Sequence, residues 1–188
     1  MARIDSSLAQ QEAVRTAAYL MAAAARTAPK ARGLDSVQTL IVDGEDLELL
    51  ARAMEAKVEA KAHRLPTFAR DAQGVRRAGA VLLIGVTGEP KNAKNPLNCG
   101  ACGFGSCEAF IEGGQREGED FRGPLCMFQA LDLGIALGSA AKVAGELAID
   151  TRIMFTIGAA ARTLGFLKCD AIMGFPLSVT GKSPYFDR

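Results

Sequence analysis

Apolar residues recur on two periods along this chain. Val14, Ala18, Met21 and Ala25 lie on one helical face within residues 6–28, and Pro29 ends that segment. The run 37–42, Val-Gln-Thr-Leu-Ile-Val, reads as a buried strand. Asp43 is then placed to cap a helix whose face carries Leu47, Leu50, Ala51, Met54 and Val58. Pro66, at a first helical position, opens a short helix to about Arg77. Residues 80–86 have the unbroken apolar character of a central strand. A loop of roughly twenty residues follows, and loops of that length are usually functional. Beyond it the pattern predicts a short helix over 107–116 and a long helix from about Cys126 to Leu147. A helix over 157–167, a last strand over 169–177 and a polar tail complete the chain. This order predicts a sheet of three or more strands with helices packed on it, an α/β sandwich in one domain spanning 1–188.

Composition narrows the chemistry. With 22 Lys and Arg against 21 Asp and Glu, the net charge of +1 gives no reason to expect a nucleic-acid partner. The apolar run Ala17–Ala25 is too short to span a bilayer and follows Asp5 and Glu12 rather than a basic segment, so neither membrane insertion nor export is expected. His63 is the one histidine, which excludes a multi-histidine metal site within one chain; it lies in a charged stretch and reads as a solvated residue.

The five cysteines carry the strongest signal. Cys99, Cys102 and Cys107 fall within nine residues, and Cys126 follows after eighteen more, giving C-x2-C-x4-C-x18-C. An odd, clustered set points to metal or redox chemistry in a reducing, cytoplasmic compartment rather than to disulfides. Four thiolates with two tight spacings suit a [4Fe–4S] cluster, and the interleaved glycines let backbone N–H groups face its sulfides. Cys107 and Cys126 fall at predicted helix N-termini, where the dipole favours thiolates. A zinc site stays open as an alternative, although structural four-cysteine zinc sites usually carry two C-x2-C knuckles and this chain has one. Cys169 lies in an apolar strand and reads as a packed small hydrophobe.

Asn98-Cys99-Gly-Ala-Cys102-Gly103, then Cys107 and Phe110, resembles the small four-cysteine iron–sulfur domain of membrane electron-transport and acetyl-CoA-synthesising complexes. That resemblance covers residues 98–126 and implies a [4Fe–4S] cluster on Cys99, Cys102, Cys107 and Cys126, held in an insertion over residues 87–126. Nearly the whole chain resembles a prokaryotic family described as proteins containing a ferredoxin domain. The matching stretches are Arg26–Gly33, Arg152-Ile-Met-Phe, Met173–Ser178 and Gly181–Arg188. More distantly, the order of Ala-Ala-Arg-Thr-Ala-Pro, strand, helix, Ala-Val-Leu-Leu-Ile, long helix and Gly-Phe-Pro is similar to the nitroreductase fold. That likeness implies an α+β homodimer with FMN at the dimer interface. The Arg-Arg-Ser-x-Arg stretch that grips the flavin phosphate there is missing from this chain, and Lys30 and about Gly33 stand where that family has Ser and Asn.

Other candidates are fewer. Lys30, Arg32 and Lys182 are the basic residues that could meet a cofactor phosphate, although Lys30 and Arg32 also suit a helix C-terminus and Lys182 also suits a solvated tail. Gly134 and Gly138 in the long helix imply close approach, either by another helix of the same chain or by a second copy. Two functional readings follow. One is an electron-transfer protein or reductase with a cluster on the four cysteines, served by a redox partner such as ferredoxin and linked to a flavin if one binds. The other is a non-enzymatic structural or sensor module holding a cluster or zinc. A cluster with an open iron is disfavoured, because four cysteines are available.

Overall fold

The computed structural model describes residues 3–60 and 66–186; His63 lies outside them. The chain runs α1 (Ser6–Thr27), β1 (Val37–Val42), α2 (Glu45–Ala60), α3 (Thr67–Arg76), β2 (Ala80–Val86), α4 (Cys107–Gly113), β3 (Arg116–Glu117), β4 (Arg122–Gly123), α5 (Met127–Glu146), β5 (Asp150–Thr151), α6 (Phe155–Thr163) and β6 (Ala171–Ser178). Four strands form one sheet in the order β1-β2-β6-β5, and every pair is antiparallel. Val37 pairs with Val86, and Ala80 with Leu177, so β2 is bonded along both edges. β3 and β4 make a separate two-stranded hairpin.

Both faces of the sheet are covered. Ala80, Leu82, Ile84, Val86, Phe175 and Leu177 pack under α1 and α5. Val81, Leu83 and Ile172 pack on the other side under α2, α3 and α6. Alternation along β2 therefore sends apolar side chains into two cores, which is why its sequence is apolar without a break. The α1–α5 layer is lined by small residues, Ala17, Ala18 and Ala25 facing Ala136, Ala140 and Ala144, so the two helices approach closely. On the opposite face α6 presses on β6. A Cβ at Gly158 would lie 1.7 Å from the Ile172 carbonyl oxygen, so only glycine fits there.

Several boundaries differ from the sequence expectation. Asp43 does not cap α2. The helix starts at Glu45 after Gly44, whose φ is +60°, and Asp43 pairs with Arg15 at 3.4 Å instead. Pro66 sits one residue before α3 rather than inside it. α4 stops at Gly113 because Gly114 turns left-handed at φ +63°. α6 begins two residues early and ends before Gly165, another left-handed residue. Gly134 and Gly138 meet nothing within 4 Å, so the intrachain helix contact is excluded and their face of α5 is open. Among the described residues no helix is long and apolar enough to cross a membrane.

Candidate metal centre

The segment 87–126 leaves the sheet at the end of β2 and rejoins the body at α5. Its return is tied to β2: the Cys126 N–H donates to the Gly88 carbonyl at 2.7 Å, and the Gly88 N–H donates to Asp170 Oδ2 at 2.7 Å. Cys126 is the N-cap residue of α5 and is buried, with no side-chain bond capping the helix. Its thiol is therefore free for another ligand role at the positive end of a twenty-residue helix.

The cysteine loop is built from left-handed turns. Asn98 has φ +48°, Gly100 +74° and Gly103 +88°. Glycine adopts this region without steric cost and asparagine does so more readily than most residues. The Gly103 N–H closes the turn on the Gly100 carbonyl at 3.0 Å. Asn98 Oδ1 accepts the Cys107 N–H at 2.9 Å, which holds the first and third cysteines of the motif near each other. Cys107 opens α4, capped by Ser106, whose hydroxyl accepts the Ala109 N–H at 3.1 Å. Phe104 stacks on Phe110 with ring centroids 5.4 Å apart, and the buried Phe110 anchors the loop.

Cys99, Cys107 and Cys126 line one small pocket of about 20 Å³ that opens to solvent. Arg32, Pro90, Lys91, Asn92, Leu97 and Phe128 complete its wall. The wall includes two basic residues and no carboxylate, although the Lys91 ammonium is itself turned to Asp132. Cys102 is half-buried on the same turn but not in the pocket wall. Among the described residues no three His, Cys, Asp or Glu side chains are gathered so as to hold one metal ion. A wider cleft of about 410 Å³, lined by Glu89, Phe110, Ile111, Gln115 and Arg122, adjoins this pocket through the shared Pro90.

The basic residues have separate fates. Lys30 is turned inward: its ammonium donates to the Ala25 carbonyl at 3.3 Å and to the Arg26 carbonyl, with Asp35 at 3.8 Å. It serves the C-terminus of α1, where a cation is favoured. Lys182 is exposed on the tail. Of these three, Arg32 alone is in the wall of the thiol pocket. Cys169 is buried behind Gly85, and desolvation together with neighbouring Asp170 pushes its thiol up to about 12, so it stays protonated at neutral pH.

A buried polar cluster supports the pocket and escaped the sequence reading. Lys91 and Asp132 form an ion pair with side chains 3% and 1% exposed. Lys91 also donates to the Leu34 carbonyl at 2.6 Å and to Ser36 Oγ at 3.1 Å. Asp132 Oδ1 accepts the Ala31 N–H at 2.9 Å. Ser36 donates to Gln129 Oε1, and Gln129 Nε2 donates to the Glu89 carbonyl at 3.1 Å. Together these bonds fasten residues 31–36 and 89–91 to the first two turns of α5. The signal available in the sequence was that Gln129 and Asp132 continue the apolar face of Leu133, Ala136 and Leu137, where a polar side chain needs a partner.

Comparison with known proteins gives three findings. A family model described as "Uncharacterized protein containing a ferredoxin domain (DUF2148)" matches residues 122–188, which include Cys126. An Archaeoglobus fulgidus protein, carrying only the name "Uncharacterized protein", is 50% identical over 179 residues, covering 95% of this chain and 94% of its own. Among solved structures, the chain is similar to an FMN- and NADPH-dependent nitroreductase from Sphigopyxis sp. strain HMH, with TM-score 0.56, 14% identity and coverage of 98% and 83%. It is also similar to an FMN-bound nitroreductase from Desulfitobacterium hafniense, with TM-score 0.54, 15% identity and coverage of 99% and 85%. The fold is therefore the nitroreductase-like α+β sandwich.

Proposed function

This chain belongs to the family of uncharacterized proteins containing a ferredoxin domain, and from that premise we propose that it is an iron–sulfur electron-transfer protein. Cys99, Cys102, Cys107 and Cys126 would hold a [4Fe–4S] cluster, and residues 87–126 form the segment that carries it. The observation that supports this most is the shared pocket of Cys99, Cys107 and Cys126, whose wall includes Arg32 and Lys91 and no carboxylate. Thiolates around a cluster each bind a different iron and stand further apart than four thiolates on one zinc ion.

When bound, such a cluster accepts and releases single electrons. The chain's own residues hold the thiols in place: the Gly100–Gly103 turn carries Cys102, the Phe104–Phe110 stack anchors the loop, and Asn98 fixes the Cys107 N–H. The three basic candidates for a flavin phosphate do not gather around one: Lys30 is engaged within the chain, Arg32 lines the thiol pocket and Lys182 lies on the exposed tail. FMN is bound by the structural relatives, and the residues here do not fit it, so no step is assigned to it. The electron would come from, or go to, an outside carrier such as a ferredoxin.

A second copy of the chain is proposed on the open face of α5, where Met127, Leu131 and Ile135 are exposed beside Gly134 and Gly138.

The test is metal and sulfide analysis on protein purified without oxygen. About four irons and four sulfides per chain are expected. Serine at Cys99, Cys102, Cys107 or Cys126 should reduce both by more than half, whereas Cys169→Ser should leave them unchanged. One zinc per chain in place of iron would overturn the proposal.

A further inference from the structure

We propose that Arg32 is the charge partner of the group held in the thiol pocket, placed there to favour that group's more negative, reduced state. The inference rests on the reading that the four cysteines hold a [4Fe–4S] cluster. It starts from the charges in the pocket wall. Arg32 and Lys91 are its two cations, and no acidic side chain shares the lining. Lys91 is already neutralised by the buried carboxylate of Asp132. Arg32 has no carboxylate partner among the described residues; its guanidinium donates to the Asn95 carbonyl, four residues before Cys99. One positive charge without a carboxylate partner is therefore carried by a residue that lines the pocket together with three cysteines.

The backbone carries the same message. Arg32 is held at φ +61°, a left-handed conformation that non-glycine residues rarely adopt. Such a conformation persists only where its surroundings enforce it, and it clusters at functional sites. Here the enforcement is visible: the preceding Ala31 N–H is fixed by Asp132, the same carboxylate that pairs Lys91, while Leu34 and Ser36 beyond it are fixed by Lys91. A buried ion pair at the base of α5 thus holds the backbone from which Arg32 joins the pocket wall. Electrons added to a thiolate-bound cluster raise its negative charge, so a nearby cation stabilises the reduced form more than the oxidised one. A unit charge about 10 Å away in an effective dielectric of about 20 suffices for roughly a tenfold change in that equilibrium.

The experiment compares wild type with Arg32→Gln and Arg32→Lys after reconstitution with iron and sulfide. Iron and sulfide are counted on each sample, and the midpoint potential is read by EPR during reductive titration. Arg32→Gln is expected to lower the reduced-to-oxidised ratio at a fixed potential about tenfold, about 59 mV for a one-electron couple. Arg32→Lys should retain most of the wild-type value. The gap in potential between wild type and Arg32→Gln, or Arg32→Ala should the first fail to take up iron, should close as salt screens the exposed guanidinium. Equal potentials in wild type and the neutral Arg32 variant at low salt would overturn the inference while leaving the cluster in place. A wild-type sample without four irons would instead overturn the reading beneath it.

Discussion

Replacing Asp132 by asparagine would leave the Lys91 ammonium buried without its counter-charge. Breaking a buried pair by removing one partner costs about 3–5 kcal/mol, more than the pair itself contributes. Asp132→Asn is therefore expected to lower the chemical-denaturation midpoint by an amount corresponding to about 3 kcal/mol. The double variant Asp132→Asn with Lys91→Met should recover part of that loss, because the orphaned charge is gone. Equal stability of wild type and Asp132→Asn would mean that the pair is not buried as described. Cys169 shows the opposite logic at the same scale. Its thiol is desolvated and held protonated, so it behaves as core and not as a fifth ligand.

Among the elements, α2 and α3 are joined by an ion network. Arg76 bonds Glu48 at 2.8 Å and Glu55 at 2.6 Å, and Arg52 adds a bond to Glu48 at 2.9 Å. The Arg76 guanidinium first, then that of Arg52, lowers the Glu48 carboxyl from 4.5 to about 2, and Arg76 lowers Glu55 as well. A carboxyl held below its unfolded value contributes stability that is present above that value and lost as pH falls through the folded one. Stability should thus decline between about pH 4.5 and pH 2. Arg76→Ala should flatten that decline when urea midpoints are compared across the range. An unchanged acid slope in Arg76→Ala would contradict the role given to the network.

The elements also show what was legible from the residues alone. The run 80–86 is unbroken apolar and 37–42 is apolar apart from Gln38 and Thr39, and both strands occupy those bounds. Pairing direction was not legible. A sheet covered by helices on both faces presents the same apolar run whether its strands are parallel or antiparallel. The cysteine motif was visible because its spacing is local, as were the helix N-termini at Cys107 and Cys126. The support beneath them was hidden, because Lys91 and Asp132 are far apart in the chain and only the folded loop brings them together. Lys30 looked like a phosphate ligand because sequence cannot show that its ammonium folds back onto α1.

For the whole molecule, the open face of α5 is the feature that the single chain leaves unexplained. Met127, Leu131 and Ile135 are 40%, 51% and 43% exposed in one helical stripe that starts beside Cys126. Association of two copies along it would cover the stripe and the bare backbone at Gly134 and Gly138. Light scattering should report two chains for wild type and one chain for Leu131→Glu with Ile135→Glu. A monomeric wild type would contradict the proposed dimer without touching the thiol pocket. The molecule as a whole pairs a nitroreductase-like sandwich with a cysteine-bearing segment that passes across one end of it.

The most direct test of electron transfer is a reductive titration of protein purified without oxygen, with visible absorbance and EPR followed as electrons are added. A broad brown absorbance that bleaches and recovers reversibly, with one electron taken up per four irons, is the expected result. A colourless protein with one zinc per chain, or four irons that take up no electron, would contradict it.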